Sequence, residues 1–207
     1  MTTTTRTTVV FDLGGVLIDW DPRHLYRQLM DDEAEVDAFL EEIGFAAWNA
    51  ELDAGRSWPE AVESLATRYP HRRALIAAFH ERWPETLGQE ITGTVEILQE
   101  LRQAGVRVVA LSNWSADTFP VALERFAFLG WFEGIVLSGE VGVGKPDPKM
   151  FEALMARHAV DPAEAVYIDD SPANVATAAR LGFRALRFTA PDDLRAELGA
   201  LGVLPAR

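Results

Sequence analysis

Asp12 closes the apolar run Val9–Phe11 and is followed by "LGG". Two further apolar runs end in the same polar way, "VVAL" in Ser112-Asn113 and "VYI" in Asp169-Asp170. Lys145 lies in the glycine-rich "GEVGVGKPDP" and, with Lys149, is one of two lysines in a chain whose other cations are arginines. A lysine kept against that bias suits a task needing a compact ammonium. Carboxylates gathered in one pocket repel each other unless a cation intervenes. A hard ion that prefers oxygen and works beside phosphate points to Mg²⁺. Ser112 and nearby backbone amides could bind phosphate oxygens, with Lys145 as a point charge. The set describes an aspartate attacking phosphorus while its surroundings neutralise the developing charge.

These residues need a frame that brings them together. The pattern predicts strands over Thr8–Phe11, Val106–Leu111, Gly134–Leu137, Ala165–Ile168 and Arg184–Phe188. Helical patterns fall over Gly93–Ala104, Asp117–Phe126, Pro148–His158, Pro172–Leu181 and Pro191–Leu201. Strands alternating with helices imply an α/β fold, a Rossmann-like, doubly wound parallel sheet covered on both faces. Ligands of such sheets bind beyond the carboxyl ends of the strands. If the first, second and fourth strands are neighbours, their polar tips share one crevice.

Between the first two strands lie roughly seventy residues with no convincing strand, far more than an ordinary connection needs. They read as an all-helical insert over 19–88, a cap on a core made of 1–18 and 89–207. Short hinges are expected near Leu17–Asp21 and Leu87–Ile91. Asp21-Pro22 has the form of a helix start, and Ser57-x-x-Glu60 has capping-box spacing.

Composition narrows the function. The formal net charge is −13, so there is no basic footprint for nucleic acid or an anionic membrane. The chain contains no cysteine, which excludes disulfides and thiol chemistry and fits a reducing, cytoplasmic setting. The polar start "MTTTTRTT" is expected to fray, and the apolar run after it is too short for a signal peptide or membrane span.

At this point the chain resembles the haloacid dehalogenase-like (HAD) hydrolases. The resemblance rests on "FDLGGVL", "LSN", "GKPDP" and "YIDDSPAN", in order along nearly the whole chain, with the insert where that family's C1-type cap sits. It implies a phosphatase in which Asp12 becomes an aspartyl-phosphate. Mg²⁺ would be held by Asp12, the Gly14 carbonyl and Asp170, with Asp169 in support. Ser112 and Asn113 would meet the phosphate, and Lys145 would orient and neutralise Asp12. The expected partner is a small phosphorylated metabolite, a sugar phosphate as first guess, and the protein a monomer or homodimer.

Most phosphatases of that family carry an aspartate where this chain has Gly14, as its general acid and base. Glycine keeps the carbonyl but has no proton to give. Asp19 or Asp21 could reach in, the leaving group could be an easy one, or the protein could be a weakly active or purely binding member. A metal-independent 2-haloacid dehalogenase shares the fold, although its usual tyrosine is also missing at position 14. The cap window "WNAELDAGRSW" is where substrate choice would be set, with Arg56 as the polar residue to watch. Trp48, Trp58 and Trp83 read as cap core, the four histidines as surface or packing residues, and Asn174 as a brace for the Asp169–Asp170 loop. Plainer readings also stand: Asp12 as a strand-end cap, Ser112-Asn113 as a turn, and Asp169, Asp170 or Ser171 as a helix cap.

Overall fold

A computed structural model describes residues 7–204, so most of the threonine-rich start lies outside the described residues. Its seven strands are β1 (Thr8–Phe11), β2 (Ile18–Trp20), β3 (Leu87–Glu90), β4 (Arg107–Ser112), β5 (Ile135–Leu137), β6 (Ala165–Asp169) and β7 (Arg184–Arg187). Helices α1 (Arg23–Tyr26), α2 (Glu33–Glu42), α3 (Phe45–Asp53), α4 (Trp58–Arg68) and α5 (Arg73–Glu81) lie between β2 and β3. Helices α6 (Thr92–Gln103), α7 (Phe119–Arg125), α8 (Ser138–Val141), α9 (Pro148–His158), α10 (Pro172–Arg180) and α11 (Pro191–Ala200) follow β3.

Five strands form one parallel sheet in the order β5-β4-β1-β6-β7. The chain fills one side of β1 and then crosses to the other, so the winding reverses at β1. The α/β Rossmann-like expectation therefore holds, and β4, β1 and β6 are neighbours. Phe11 pairs with both Ala110 and Ile168, which leaves Asp12 as the next residue beyond the paired stretch.

Side chains alternate across the sheet. Val9 and Phe11 join one buried cluster with Leu98, Leu101, Leu194 and Leu198 from α6 and α11. Val10 and Tyr167 join the other, with Met150, Phe151 and Leu154 of α9. The first cluster continues without a break into the inserted helices through Val36, Phe39, Trp48 and Phe79. Among the described residues, no helix is long and apolar enough to cross a membrane.

Two local details differ from what the pattern suggested. Strands occupy the stretches expected as hinges: β2 and β3 pair antiparallel, Ile18 with Glu90 and Trp20 with Leu87. Bonds from Ile91 N to Leu17 O (2.8 Å) and Asp21 N to Thr86 O (3.1 Å) extend the ribbon. Each strand is too short to show periodicity, and its partner is far away in sequence. The capping box at Ser57 also does not form; Ser57 precedes α4 without a side-chain cap bond. Asp21, by contrast, caps α1 through Arg23 N at 2.9 Å, and Asp147 caps α9 through Lys149 N at 2.9 Å.

Phe11 is fully buried and meets Phe132 edge-on at 6.2 Å between ring centres. Replacing it with alanine removes that contact and leaves a cavity beneath the site. Phe11→Ala is expected to cost about 3–5 kcal/mol in urea unfolding, and a loss below about 1 kcal/mol would show that the sheet tolerates a hole there.

Candidate active site

The centre of the site is the Lys145 ammonium. Its Nζ lies 2.8 Å from Asp12 Oδ2, 2.8 Å from Asp169 Oδ2 and 2.8 Å from the Leu111 carbonyl. Three partners match the three N–H groups of an ammonium. The lysine backbone is fixed by Asn113, whose Nδ2 donates to Lys145 O (2.9 Å) and whose Oδ1 accepts from Lys145 N (2.7 Å). Asn113 thus holds the lysine loop against the end of β4.

Asp169 is fully buried and saturated. Besides Lys145 it accepts from the Tyr167 hydroxyl, from Ser171 N at 2.9 Å and from Asn174 Nδ2 at 3.0 and 3.1 Å. Asn174 is the brace that its position suggested. Neither Asp169 nor Ser171 caps α10 by its side chain, and the Asp169 carboxylate turns inward instead.

Asp12 keeps one oxygen on Lys145 and accepts from Leu13 N through the other at 2.7 Å. Carboxylate oxygens of Asp12, Asp169 and Asp170 all lie within 4.8 Å of one another. Burial pushes the Asp12 carboxyl up to about 8, against the pull of Lys145. Burial works against the Lys145 ammonium too, but Asp12 and Asp169 outweigh it and raise its pKa. Burial also acts on Asp169, and there Lys145 prevails and lowers its pKa. Asp170 is raised by burial and by its neighbour Asp169. One ammonium faces three carboxyl groups, two of them pushed up by burial, and a hard cation among them would favour their charged forms.

The two glycines after Leu13 differ. Gly15 has φ +74°, and a Cβ there would stand 2.8 Å from Asp170 Oδ2. Gly14 has no such constraint; its Cβ would meet only the Trp20 Cβ, at 3.9 Å. The space beside it is a cavity lined by Gly14, Trp20, Asp53, Trp83, Asn113 and Trp114. Trp83 and Trp114 contact at 5.7 Å between ring centres. Asp53 ends α3, accepts from Asn49 Nδ2 at 2.8 Å and from the Ser115 amide, and its burial pushes the carboxyl up to about 7.

A model of the haloacid dehalogenase-like hydrolases matches residues 7–182. The chain belongs to that family. It is 27% identical over 187 residues to the sesquiterpene phosphatase astK of Aspergillus oryzae, covering 90% of this chain and 91% of that one. It is 30% identical over 193 residues to a phosphoglycolate phosphatase of Cereibacter sphaeroides, covering 87% and 84%. Among solved structures it resembles a HAD family enzyme of Bacteroides thetaiotaomicron, determined with magnesium and inorganic phosphate. The TM-score is 0.65 at 25% identity, covering 89% of this chain and 95% of that one.

In this HAD-like hydrolase the structure brings together Asp12, Gly14, Ser112, Asn113, Lys145, Asp169 and Asp170 at the ends of β1, β4 and β6 and in the loops beyond. Ser112 ends β4 and is buried. Arg56 is elsewhere. It pairs with Glu51 and lines a separate cavity with Trp48, Ser64, Leu65 and Arg68. Gly55, at φ +94°, turns the chain after α3, and Arg56 N folds back onto Glu51 O at 2.9 Å. Asp19 and Asp21 do not line the Gly14 cavity either; Asp19 pairs with His24 at 3.0 Å and Asp21 with Arg23.

Sequence reasoning missed Asp53, Trp20 and Trp114 and assigned Trp83 to the cap interior. Trp48 and Trp58 are buried as read, but Trp58 Nε1 also reaches Ser115 Oγ at 3.1 Å. The histidines are surface or packing residues: His24 on Asp19, His71 on Glu42, His80 stacked on Trp58 at 5.1 Å, and His158 against Gly134.

Two outcomes follow from this geometry. Gly15→Ala forces a left-handed conformation on a residue with a Cβ, which costs about 1–2 kcal/mol, and presses on Asp170. Denaturant unfolding should show at least that loss, whereas Gly14→Ala should fall within about 1 kcal/mol of the parent. Asp53 titrates higher folded than unfolded, so the folded state binds more protons between the two values and stability falls as pH rises. Asp53→Asn should therefore gain on the parent between pH 5 and pH 8, on the order of 1 kcal/mol; a constant gap in urea midpoints would place the native carboxyl near its ordinary value.

Proposed function

We propose that this hydrolase is a Mg²⁺-dependent phosphatase that cleaves a small phosphate monoester through an aspartyl-phosphate on Asp12. The observation that carries this reading is the Asp12 carboxylate, buried, held by Lys145 and within 4.8 Å of Asp169 and Asp170. The named phosphatases among the relatives, and the magnesium and phosphate in the related Bacteroides structure, support it.

The donor set fits a hard cation. Asp12, Asp170 and the Gly14 carbonyl would hold Mg²⁺, with Asp169 kept beside them by Lys145 and Asn174. The ion would neutralise the phosphoryl oxygens and draw phosphorus toward Asp12. Lys145 fixes the attacking carboxylate and offsets charge as the P–O bond forms. Ser112 presents a hydroxyl at the end of β4, and Asn113 keeps Lys145 in register.

Residues 19–88 act as the cap in this reading. Ser138 Oγ donates to Asp53 O, and Trp58 reaches Ser115, which seats the helical segment on the loops after β4 and β5. The cavity beside Gly14 has indole walls and no Lys or Arg among its lining residues. Such walls suit a leaving group with a flat apolar face, such as a sugar ring, rather than one carrying a second anion. Dehalogenation is disfavoured by the same cluster: attack on carbon has no use for a cation, and Asp170 would then stand as an uncompensated carboxylate.

Phosphate release from a panel of metabolite monoesters, with Mg²⁺ and with chelator, tests the reading. Release should require the metal and fall by more than about 10³-fold in Asp12→Asn. Uncharged ring phosphates should turn over faster than phosphoglycolate. Activity that survives chelation or Asp12→Asn would overturn the proposal, and metal-free halide release from 2-chloropropionate would point to the dehalogenase.

A further inference from the structure

We propose that Asp53, on the last turn of the inserted helix α3, is the general acid and base of this enzyme and does the work that position 14 has no side chain to do. The inference rests on the phosphatase reading above. It begins with a vacancy and a carboxyl that share one cavity. Gly14 leaves open space where a side chain would project, and Asp53 lines the same cavity as Gly14.

The carboxyl is held in place. Its own backbone carbonyl accepts from Ser138 Oγ, which in turn accepts from Trp114 N at 2.8 Å. Its side chain takes one bond from Asn49 and one from the Ser115 amide. Gly55 lies so close to the core that a Cβ there would stand 3.1 Å from Gly139 O. Asp53 is thus fixed to the loops that follow β4 and β5, the elements that also carry Ser112 and Asn113.

The surroundings suit proton transfer at neutral pH. Asp53 ends a helix, where unpaired carbonyls disfavour a negative charge. The other residues lining the cavity, Gly14, Trp20, Trp83, Asn113 and Trp114, are all uncharged, and Arg56 is turned away to Glu51. Burial raises the carboxyl to about 7, near the working pH at which a group can both give and take a proton. Asp19 and Asp21, the acids nearest in sequence, are engaged elsewhere, Asp19 with His24 and Asp21 with Arg23.

The chemistry balances in two steps. An Asp12 oxygen forms a bond to phosphorus as the bond from phosphorus to the ester oxygen breaks. The departing oxygen keeps that electron pair and takes the proton of the Asp53 carboxyl, leaving as an alcohol. The Asp53 carboxylate then takes a proton from water as the water oxygen bonds to phosphorus. The bond from phosphorus to Asp12 breaks, which returns the Asp12 carboxylate, the Asp53 acid and inorganic phosphate.

The test compares leaving groups in single-turnover phosphorylation of the Mg²⁺-loaded enzyme. Hexyl phosphate must release an alkoxide, which needs a proton; 4-nitrophenyl phosphate releases a phenolate, which does not. In Asp53→Asn the hexyl rate should drop about 10²–10⁴-fold while the nitrophenolate burst changes less than about tenfold. Adding Gly14→Asp, which the backbone accepts, should restore hexyl turnover. In the unmodified enzyme the hexyl rate should fall above about pH 7 relative to the nitrophenyl rate, a readout that needs no variant.

Equal losses on both substrates with no rescue by Gly14→Asp, or unchanged rates on both, would overturn the assignment of Asp53. So would parallel pH profiles for the two substrates. Absence of a burst in the unmodified enzyme, or a burst that survives Asp12→Asn, would instead overturn the phosphatase reading on which the inference stands.

Discussion

A buried ammonium bound to two buried carboxylates and a carbonyl is the constraint on which this fold turns. Lys145, Asp12 and Asp169 are almost wholly removed from water, and breaking such a pair leaves a buried charge uncompensated, typically at about 3–5 kcal/mol. The contact at 2.8 Å on each side is possible only if β4, β1 and β6 are adjacent and in register, because the Leu111 carbonyl, Asp12 and Asp169 come from those three strands. The sheet order thus makes the site, and the site holds together the one edge of the sheet where the winding reverses.

The same contact accounts for the lone buried lysine. Elsewhere the chain uses arginine for surface pairs, as in Arg73–Glu63 and Arg195–Glu100. A guanidinium is broad, planar and donates in a fixed fork. Here the partners surround a single nitrogen, and an ammonium is the cation that fits.

Much of this was legible in sequence because it is local. The Thr8–Phe11 strand and the Pro148–His158 helix have the limits that their patterns imply. For the helix the signals are physical: Asp147 caps it, Pro148 opens it, and Ala159 leaves it in the left-handed region at φ 48°. The polar tips of β1, β4 and β6 could be read as one site because parallel strands place their ends together. The β2–β3 ribbon was not legible, since neither strand has the length to show alternation. Within the window "WNAELDAGRSW" the residue singled out was Arg56, which turns to Glu51 and lines a separate cavity, whereas Asp53 lines the cavity beside Gly14. In "ELDAGR" Glu51 is a local partner for Arg56, and Asp53 is the acid left without a cation; that imbalance was the available signal. That Asp53 lines one cavity with Gly14 depends on how α3 seats on Ser138 and α4 on Ser115, which no local pattern encodes.

That seating bears on how the enzyme would be controlled. A carboxyl borne by residue 14 would stand beside Asp12 whether or not the inserted helices were docked, and could assist attack by bulk water at any time. A carboxyl borne by α3 is in place only when Asp53 O meets Ser138 and Trp58 meets Ser115. Docking also sets Trp20 and Trp83 against Trp114 around that cavity. Moving the acid from the strand end to the insert therefore ties proton transfer to closure. Gly14 is then more than a loss: it leaves open the cavity that Asp53 also lines.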